Sequence, residues 1–464
     1  MGPIDATQFY VDVNDTTCVN ALVVFESTAE ESALKAALAE RFVECNPRMR
    51  SVLAKANVFG VPQLRILGTD RARALVDKMW RRHCEDGEEI SHSELESEVA
   101  VLMGSRLRKD GEEQPLWEAH FWPFFRRDDH RQGSSSASAM LLRYHHGLAD
   151  GITALRAVML LATYDKEDVT SARPKTRARS HGGFGPLKLC TLAIDTVKAA
   201  VKVCLLPADP SSVLHPPALV PGAGAGVYCC SYHKSEFSVA HLKDISRSLS
   251  ASHGHTPSIN DLLLAALSGA LRSSLLQDHS KLPLPQKFTS TVWVSLSPLS
   301  SMYKPADDPS CPHRLCNKDL GLVYVTLPLR DESAAARLAA IQKQTRALLT
   351  SPEPLVTNAV LKMLPVLPQW LFLPLATFLT KKTSISMSNV PGPQFPVSIG
   401  GTVVDQLCFF VAPQGCLSIF VCIMSYNDKV TVGIGADSNV LTAEQARLVV
   451  GPLFDNELAA LADP

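Results

Sequence analysis

The sequence predicts a mixed α/β protein of two domains with a cleft between them, and three observations lead to that prediction. The chain has 464 residues, more than a single hydrophobic core usually organises, so two domains of roughly 150–250 residues are expected. Its composition, 46% hydrophobic and 20% charged, is typical of a folded globular protein. Strand-like and helix-like segments alternate in both halves of the chain, which favours mixed α/β domains.

The predicted N-terminal domain comprises residues 1–167. The helix predicted from Gly151 onward carries apolar residues at helical spacing, which is typical of a helix packed on a core. The predicted elements of this domain are strands at 19–25 and 140–144, and helices at 30–44, 71–83 and from 151 onward.

The predicted C-terminal domain comprises residues 228–464 and repeats the alternation. Each predicted strand is a short run rich in β-branched or aromatic residues, and each predicted helix has apolar residues at a period near 3.6. The predicted elements are helices at 258–276, 332–349 and 442–461, and strands at 289–296, 321–327, 406–412, 417–425 and 430–436.

Residues 168–227 are predicted to be a linker that crosses between the domains, because they are rich in Pro, Gly and basic residues. Within this linker, Leu187–Leu206 is apolar but interrupted by charges, which predicts an amphipathic helix. A second apolar stretch, Met363–Thr380, contains three prolines and lies between lysines. We expect a buried helix or a segment that dips into a membrane surface there, in preference to a true span.

The overall charge and the cysteine pattern exclude several classes of protein. A formal net charge of -1 and a pI near 6.9 give no electrostatic basis for binding nucleic acid. Twelve cysteines are scattered without the spacing of a zinc site, so no metal is expected and the thiols are expected to be reduced in a cytosol-facing protein. The N-terminal residues do not resemble a secretory signal.

The segment 143–151, RYHHGLADG, is the most informative part of the sequence. Strand alternation places Tyr144 and His146 on one face and Arg143 and His145 on the other, so only one histidine can face a given cleft. Asp150 and Gly151 then fall at the start of the following helix, where Asp caps the first turn and Gly permits a tight backbone path.

A neutral imidazole in such a position is suited to activate an alcohol. It takes the hydroxyl proton while the oxygen attacks a thioester carbonyl, and no acyl-enzyme is needed when both substrates are bound together. The alternative is a pair of surface or core histidines beside an aspartate that caps a helix. The filling of four fixed positions within seven residues favours the catalytic interpretation.

The segment HHGLADG resembles the HHxxxDG motif of the superfamily that includes chloramphenicol acetyltransferase and nonribosomal condensation domains. Further segments resemble the wax ester synthase / diacylglycerol acyltransferase family in the order in which that family has them. These segments are Pro3–Asp5, Asn46–Arg50, Pro115–Glu118 with His120, Ser258–Asp261, Ser388–Pro393, and Ser425–Tyr426 with Asp437.

The resemblance implies two chloramphenicol-acetyltransferase-like domains with the active-site channel between them. It implies transfer of a long-chain acyl group from acyl-CoA, a co-substrate rather than a cofactor, to a fatty alcohol or diacylglycerol. Because these substrates are lipids, it also implies peripheral association with a membrane surface or lipid droplet. The expected location is the endoplasmic reticulum or lipid droplet in a eukaryote, or the inner membrane in a bacterium.

The resemblance also assigns roles to individual residues. His146 is the expected general base, supported by His145, Gly151 and Asp261, and Asp150 is expected to hold the loop. For Asn260 two roles stay open: donor to the developing oxyanion, or a residue that bonds its own backbone at a helix start while Asp261 favours the helix dipole. Asn389 is expected to form a turn beside Pro391.

Two departures from the family pattern fall at 295–303, SLSPLSSMY, and at Cys316–Asn317, and both are expected to affect substrate preference. An amide-forming condensation domain is the alternative enzyme, but the carrier and adenylation domains that would accompany it are not expected here. A catalytically silent acyl-CoA- or lipid-binding protein is the other alternative. It should have lost His146, Asp150 or Asn260, and the sequence retains all three.

Overall fold

The fold is that of a computed structural model and consists of two β-sheets with helices packed around them. The structure describes residues 17–54, 63–85, 87–107, 113–127, 136–149, 151–164, 194, 196–201, 203, 205–210, 212–214, 227–253, 256–277, 284–285, 288–296, 320–349, 351–364, 367, 371, 374–375, 378, 381–413 and 417–463.

The first sheet has eight strands in the order β4-β6-β7-β1-β14-β13-β8, with β5 pairing on β6. Strands β6, β7 and β1 form an antiparallel centre whose residues are nearly all buried, because both faces of the sheet are covered. A separate pair, β2 and β3, flanks this sheet. The strands of these two groups that come from the first half of the chain are β1 (Cys18–Phe25), β2 (Ser51–Ala54), β3 (Gln63–Ile66), β4 (Trp80–Arg82), β5 (Ile90–Ser91), β6 (Trp117–Arg126), β7 (Ala137–His145) and β8 (Ala162–Thr163).

The second sheet has six strands in the order β11-β10-β12-β15-β16-β9. Strands β10, β12 and β15 run parallel, so their carboxyl ends meet at one edge of the sheet. The strands from the second half of the chain are β9 (Tyr228–Lys234), β10 (Thr289–Ser295), β11 (Leu320–Thr326), β12 (Ile385–Pro391), β13 (Ser398–Ile399), β14 (Thr402–Val411), β15 (Ile419–Tyr426) and β16 (Lys429–Asp437).

Two strands from the second half of the chain belong to the first sheet. Strand β14 pairs antiparallel with β1 from Val19↔Val411 to Val24↔Gln406, and β13 joins β14 to β8. The second half of the chain therefore contributes strands to both sheets, and a core cluster runs from β7 through β14 to β15. The division of the chain at 168–227 stays a prediction, although residues after 228 complete the first sheet.

The helices pack around both sheets. Helices α6, α7, α8, α10 and α11 pack on the second sheet, while α4 packs against the first sheet and against β9 of the second. The helices are α1 (Glu31–Ala37), continued by a π-helical turn at Leu38–Glu44, α2 (Thr69–Ala74), α3 (Val76–Met79), α4 (His92–Gly104), α5 (Gly151–Leu161), α6 (Val239–His253), α7 (Ile259–Gln277), α8 (Ala334–Leu349), α9 (Glu353–Met363), α10 (Ala443–Val450) and α11 (Pro452–Ala462).

Most of the predicted elements are present, but two predicted helices are wrong in extent. The helix predicted at 71–83 ends at Met79, because the next three residues pair with β6 as a parallel strand. The helix predicted at 442–461 is two helices, because Gly451 leaves the helical conformation and Pro452 begins α11. The patterns at both sites are apolar at mixed spacing, so periodicity alone did not separate these elements.

The two apolar stretches of the sequence are only partly described. Positions 194, 196–201, 203 and 205 are helical, in agreement with the amphipathic helix predicted there, and 371, 374–375 and 378 are helical within the second stretch. Among the residues that the structure describes, one helix is long and apolar enough to cross a membrane: α7, Ile259–Gln277. It is mostly buried against the second sheet, as a core helix would be.

Candidate functional site

The two adjacent histidines stand at the end of β7 and face different surroundings. Met140, Leu142 and Tyr144 lie in the core cluster between the sheets, while Leu141 lies in the cluster under α4. His145 is the last residue of the strand and is fully buried. His146 follows in a turn and lines the cavity between the sheets. The alternation predicted for this strand is confirmed.

The turn that carries His146 is held by backbone and side-chain hydrogen bonds. The backbone N–H of His146 donates to the carbonyl of Thr17 at 2.8 Å, and the Gly147 N–H donates to Nδ1 of His145 at 2.9 Å. Nη2 of Arg48 donates to the carbonyl of Gly147 at 3.0 Å. These contacts fix the position at which the imidazole of His146 enters the cavity.

The other residues of the motif are described unequally. Gly151 begins helix α5, as its place in the sequence predicted. Asp150 lies outside the described residues, and its expected role in holding the loop stays a prediction.

A cavity of about 630 Å³ lies between the two sheets and places residues from distant parts of the chain around His146. The first sheet contributes Val19, Phe409 and Val411, and the second sheet contributes its carboxyl edge, including 292–295 and 388–391. Most of the lining side chains are aliphatic or aromatic, so the cavity is suited to an alkyl chain with few polar anchors.

The surroundings of His146 keep its imidazole neutral. Burial, with a smaller contribution from the neighbouring His145, lowers its pKa to about 4, although a hydrogen bond with its own backbone opposes the shift. At neutral pH the ring is therefore uncharged and has a lone pair available to accept a proton.

Asn260 and Asn389 meet at the cavity wall. Asn260 is the second residue of α7, and its Oδ1 accepts a hydrogen bond from Nδ2 of Asn389 at 2.5 Å. Both residues line the cavity. Both roles left open for Asn260 stay predictions, and the contact with Asn389 adds a partner for its Oδ1. The amide nitrogen of Asn260 is then the group left to donate toward a ligand.

The turn predicted at Asn389 is wrong. This residue lies within β12, where it pairs with Ile423 of β15, and the chain turns only after Pro391. Pro391 and Gly392 of the SNVPGP segment favour a turn, and the turn was therefore predicted at Asn389, before the position at which the chain actually turns. Gly392 does have a structural role there, because a Cβ at this position would lie 2.4 Å from the carbonyl oxygen of Ser425.

Asp261 stabilises the start of α7 and does not line the cavity. Its Oδ2 accepts from the backbone N–H of Ser258 at 2.8 Å, while the Ser258 hydroxyl accepts from the Asp261 N–H at 3.1 Å. This reciprocal pair satisfies two N–H groups at the helix start. Asp261 therefore acts at the helix end, and it positions the neighbouring Asn260.

A buried polar network occupies the opposite face of β7. The guanidinium of Arg143 donates to Oδ1 of Asn20, to Ser105 and to a carboxylate oxygen of Glu118. Glu118 also contacts Nε2 of His120 at 3.1 Å. Burial raises the pKa of Glu118, but hydrogen bonding to His120 and the charge of Arg143 outweigh it and the net shift is downward.

Two structurally important residues were not identified from the sequence. Arg48 lies within the Asn46–Arg50 segment, which resembles a motif of the family. That resemblance did not indicate that the Arg48 side chain reaches the carbonyl of Gly147. Glu96 of α4 is buried and accepts from Ser231, from the backbone of Tyr232 and from Arg447, so it ties the two halves of the chain together. No local pattern distinguishes Glu96 from the other acids of that helix.

Comparisons with known proteins agree with this geometry. Residues 317–449 match the family model described as the WS/DGAT C-terminal domain. The chain is 24% identical over 456 residues, which are 95% of this chain and 90% of the relative, to a probable diacylglycerol O-acyltransferase of Mycobacterium tuberculosis.

Two solved structures share the fold. A wax ester synthase/diacylglycerol acyltransferase from Marinobacter aquaeolei superposes with a TM-score of 0.60 at 19% identity, covering 99% of this chain and 98% of that one. The trichothecene 15-O-acetyltransferase of Fusarium sporotrichioides superposes with a TM-score of 0.61 at 14% identity, covering 99% and 94%. The expected mixed α/β fold with two chloramphenicol-acetyltransferase-like lobes is confirmed, and residues 317–449 are similar to the C-terminal domain of the wax ester synthase/diacylglycerol acyltransferase family.

Proposed function

We propose that this protein is an acyl-CoA-dependent O-acyltransferase that transfers a long-chain acyl group to a fatty alcohol, a diacylglycerol, or both. One observation carries the proposal: of the two motif histidines, only His146 lines the apolar cavity between the sheets. The names of the similar proteins support the same reaction class, since they are diacylglycerol O-acyltransferases and a wax ester synthase.

His146 acts as the general base. Its neutral imidazole accepts the proton of the acceptor hydroxyl while that oxygen attacks the thioester carbonyl carbon. The carbon–sulfur bond then breaks, the proton passes to the departing thiolate, and free CoA and the new ester are formed. No covalent intermediate with the protein is required, because the attacking alcohol and the thioester share one cavity.

Asn260 donates its amide to the oxygen that becomes negative as the alcohol adds. Asn389 holds that amide by occupying Oδ1, so that the N–H groups of Asn260 are the ones turned to the ligand. Loss of one such donor costs roughly 3 kcal/mol of transition-state stabilisation in better-characterised enzymes.

The substrates imply a location at a lipid surface. A long-chain alcohol or diacylglycerol and the ester product partition into membranes, so the protein works as a cytosol-facing, peripherally attached enzyme. Depending on the organism, the surface is the endoplasmic reticulum, a lipid droplet or a bacterial inner membrane.

The test is an acceptor panel with purified protein. Labelled palmitoyl-CoA is supplied with hexadecanol, with dioleoylglycerol, or with hexadecylamine, and lipid products are separated by polarity while free CoA is measured. The proposal expects wax ester or triacylglycerol together with equimolar CoA. Amide as the main product would favour the condensation reaction. Tight acyl-CoA binding without any product would favour a silent binding protein.

A further inference from the structure

A row of exposed apolar side chains runs along the helical positions between 194 and 205. Ile194, Val197, Val201 and Leu205 are 55%, 62%, 47% and 75% exposed. Their spacings of three, four and four residues place all four on one side of a helix, within about a quarter of its circumference. Scattered apolar residues on a surface are ordinary, whereas four in one continuous row mark a binding surface.

The opposite side of the same helical positions is packed against the protein. Ala199 and Val203 are buried, at 5% and 4% exposure. The segment therefore packs on the protein through Ala199 and Val203, and the exposed row is its outward side.

A second exposed pair adjoins this row. Leu371 and Phe378 are seven residues apart at helical positions, and both are exposed. Lys382 links the two segments, because its buried Nζ donates to the carbonyl of Val203 at 2.5 Å and lies 4.2 Å from the ring centroid of Phe378. Phe378 thus lies near the segment that carries the exposed row. We call the exposed row and this pair together the apolar rim.

The charges that accompany the apolar rim are mainly positive. The sequences of 194–205 and 371–382 contain four lysines, Lys198, Lys202, Lys381 and Lys382, against the single acid Asp195. Lys198 and Lys381 are exposed. A basic apolar surface fits an anionic lipid surface, because its exposed lysines, Lys198 and Lys381, reach the headgroups while its apolar side chains enter the acyl boundary.

The apolar rim lies at the end of the second sheet that is remote from the cavity wall. Asp209, just after the helical positions, accepts from the backbone of Thr289 at 2.7 Å and from the hydroxyl of Ser384 at 3.0 Å, where β10 and β12 begin. The cavity is lined instead by the last residues of β10 and β12, such as Ser295 and Asn389. Ser295 is six residues after Thr289 and Asn389 is five after Ser384, which is on the order of 17–20 Å along the strands.

We propose that the apolar rim docks the protein on an anionic lipid surface, with the start of the second sheet toward the lipid and the cavity above it. This inference deepens the proposed function, since it rests on lipid substrates for the reason to dock, and it names the surface that does so. The alternative occupant, a second copy of this chain, is an outcome of the test.

The test compares two matched variants of the full chain. Val197→Asp/Val201→Asp places charges in the apolar rim, and Val101→Asp/Leu276→Asp changes two helical residues that are also exposed but lie in α4 and α7. Each protein is sedimented with phosphatidylcholine vesicles that contain either no anionic lipid or roughly a third phosphatidylserine. Circular dichroism and urea midpoints establish that both variants fold.

We expect wild type and the α4/α7 variant to bind the anionic vesicles and the rim variant to bind at least about tenfold more weakly. Vesicles without phosphatidylserine should bind wild type less well, and high salt should reduce the difference between the two vesicle types. Equal binding by the rim variant would overturn the proposal. The proposal would also be overturned if the rim variant bound vesicles as wild type does but was a monomer where wild type is a dimer. That result would identify the rim as a self-association surface.

Acyl transfer to detergent-dispersed hexadecanol separates this inference from the proposed function. If the inference holds, the rim variant should keep wild-type activity in detergent while losing vesicle binding. Vesicle binding through the rim by a protein that transfers no acyl group would remove the proposed reaction and leave the docking surface standing. If the protein transfers acyl groups but the rim variant binds vesicles as well as wild type does, the proposed reaction stands and the docking surface does not.

Discussion

His145 and His146 are consecutive residues of one chemical type, yet they occupy opposite environments. His145 is buried, and its Nδ1 accepts a hydrogen bond from the Gly147 backbone, so part of its hydrogen-bonding capacity is used to hold the turn. His146 lines an apolar cavity, and burial there keeps its ring uncharged at neutral pH. The side chain alone does not decide the role. The side of the sheet toward which it points does.

The same division applies to the whole of β7. On the His145 side, Arg143 is surrounded by partners from β1, β6 and the end of α4, and this network is closed to ligands. On the His146 side, apolar residues lead into the cavity. Under the proposed mechanism one face stabilises the fold and the other carries out the chemistry, which predicts that substitutions on the two faces affect different measurements.

The largest expected effect is on the closed face. Arg143→Met removes the cation that pairs with buried Glu118, so the free energy of unfolding should fall by about 3–5 kcal/mol. Urea denaturation monitored by tryptophan fluorescence measures it. The double variant Arg143→Met/Glu118→Leu should recover part of the loss, because no uncompensated charge remains. A single variant as stable as wild type would contradict the assigned network.

The next effect concerns His145. His145→Ala leaves the buried Gly147 N–H without its acceptor and should lower the free energy of unfolding by about 1–3 kcal/mol. His145→Asn supplies an amide oxygen near the position of Nδ1, and it should restore much of the lost stability. If the alanine and asparagine variants are equally destabilised, the hydrogen bond to Gly147 is not the cause.

A smaller effect is expected at the cavity wall. Asn389→Ala frees the amide of Asn260 to rotate, so kcat should fall about tenfold while KM for acyl-CoA changes little. Asn260→Ala should lower kcat further, and the double variant should resemble Asn260→Ala alone, because Asn389 acts through Asn260. Additive losses would show that Asn389 contributes independently.

The smallest change is a shift in pH dependence. Because burial lowers the pKa of His146 to about 4, the acidic limb of kcat/KM should lie near that value and not near the ordinary histidine pKa of 6.5. The base is active when neutral, so activity falls as pH drops through the folded-state pKa. Unfolded protein binds the proton below about 6.5, so stability also declines there, and activity regained on return to pH 7 separates the two effects.

The sequence predicted β7 and its two faces well because this strand is governed by local alternation. The two-residue period placed Tyr144 and His146 together, and the structure has them facing the space between the sheets. The amphipathic helix in the linker was predicted because charged residues interrupt an apolar stretch, and its described positions are helical.

Features that depend on distant contacts were not predicted. Asn389 was assigned to a turn because Pro391 and Gly392 follow it, whereas pairing with β15 keeps it in a strand. Similarly, Trp80–Arg82 is a strand only because β6 lies beside it. The contribution of β14 to the first sheet also depends on pairing across almost the whole chain. Local periodicity contains no information on such partners.

The most direct test of the account compares His146→Gln with His145→Asn in acyl transfer from palmitoyl-CoA to hexadecanol or dioleoylglycerol, alongside their unfolding midpoints. The account predicts that His146→Gln stays folded and loses at least about 10²-fold in kcat, while His145→Asn keeps most of its activity. A folded His146→Gln variant with the wild-type rate would contradict the assignment of the base and the mechanism built on it.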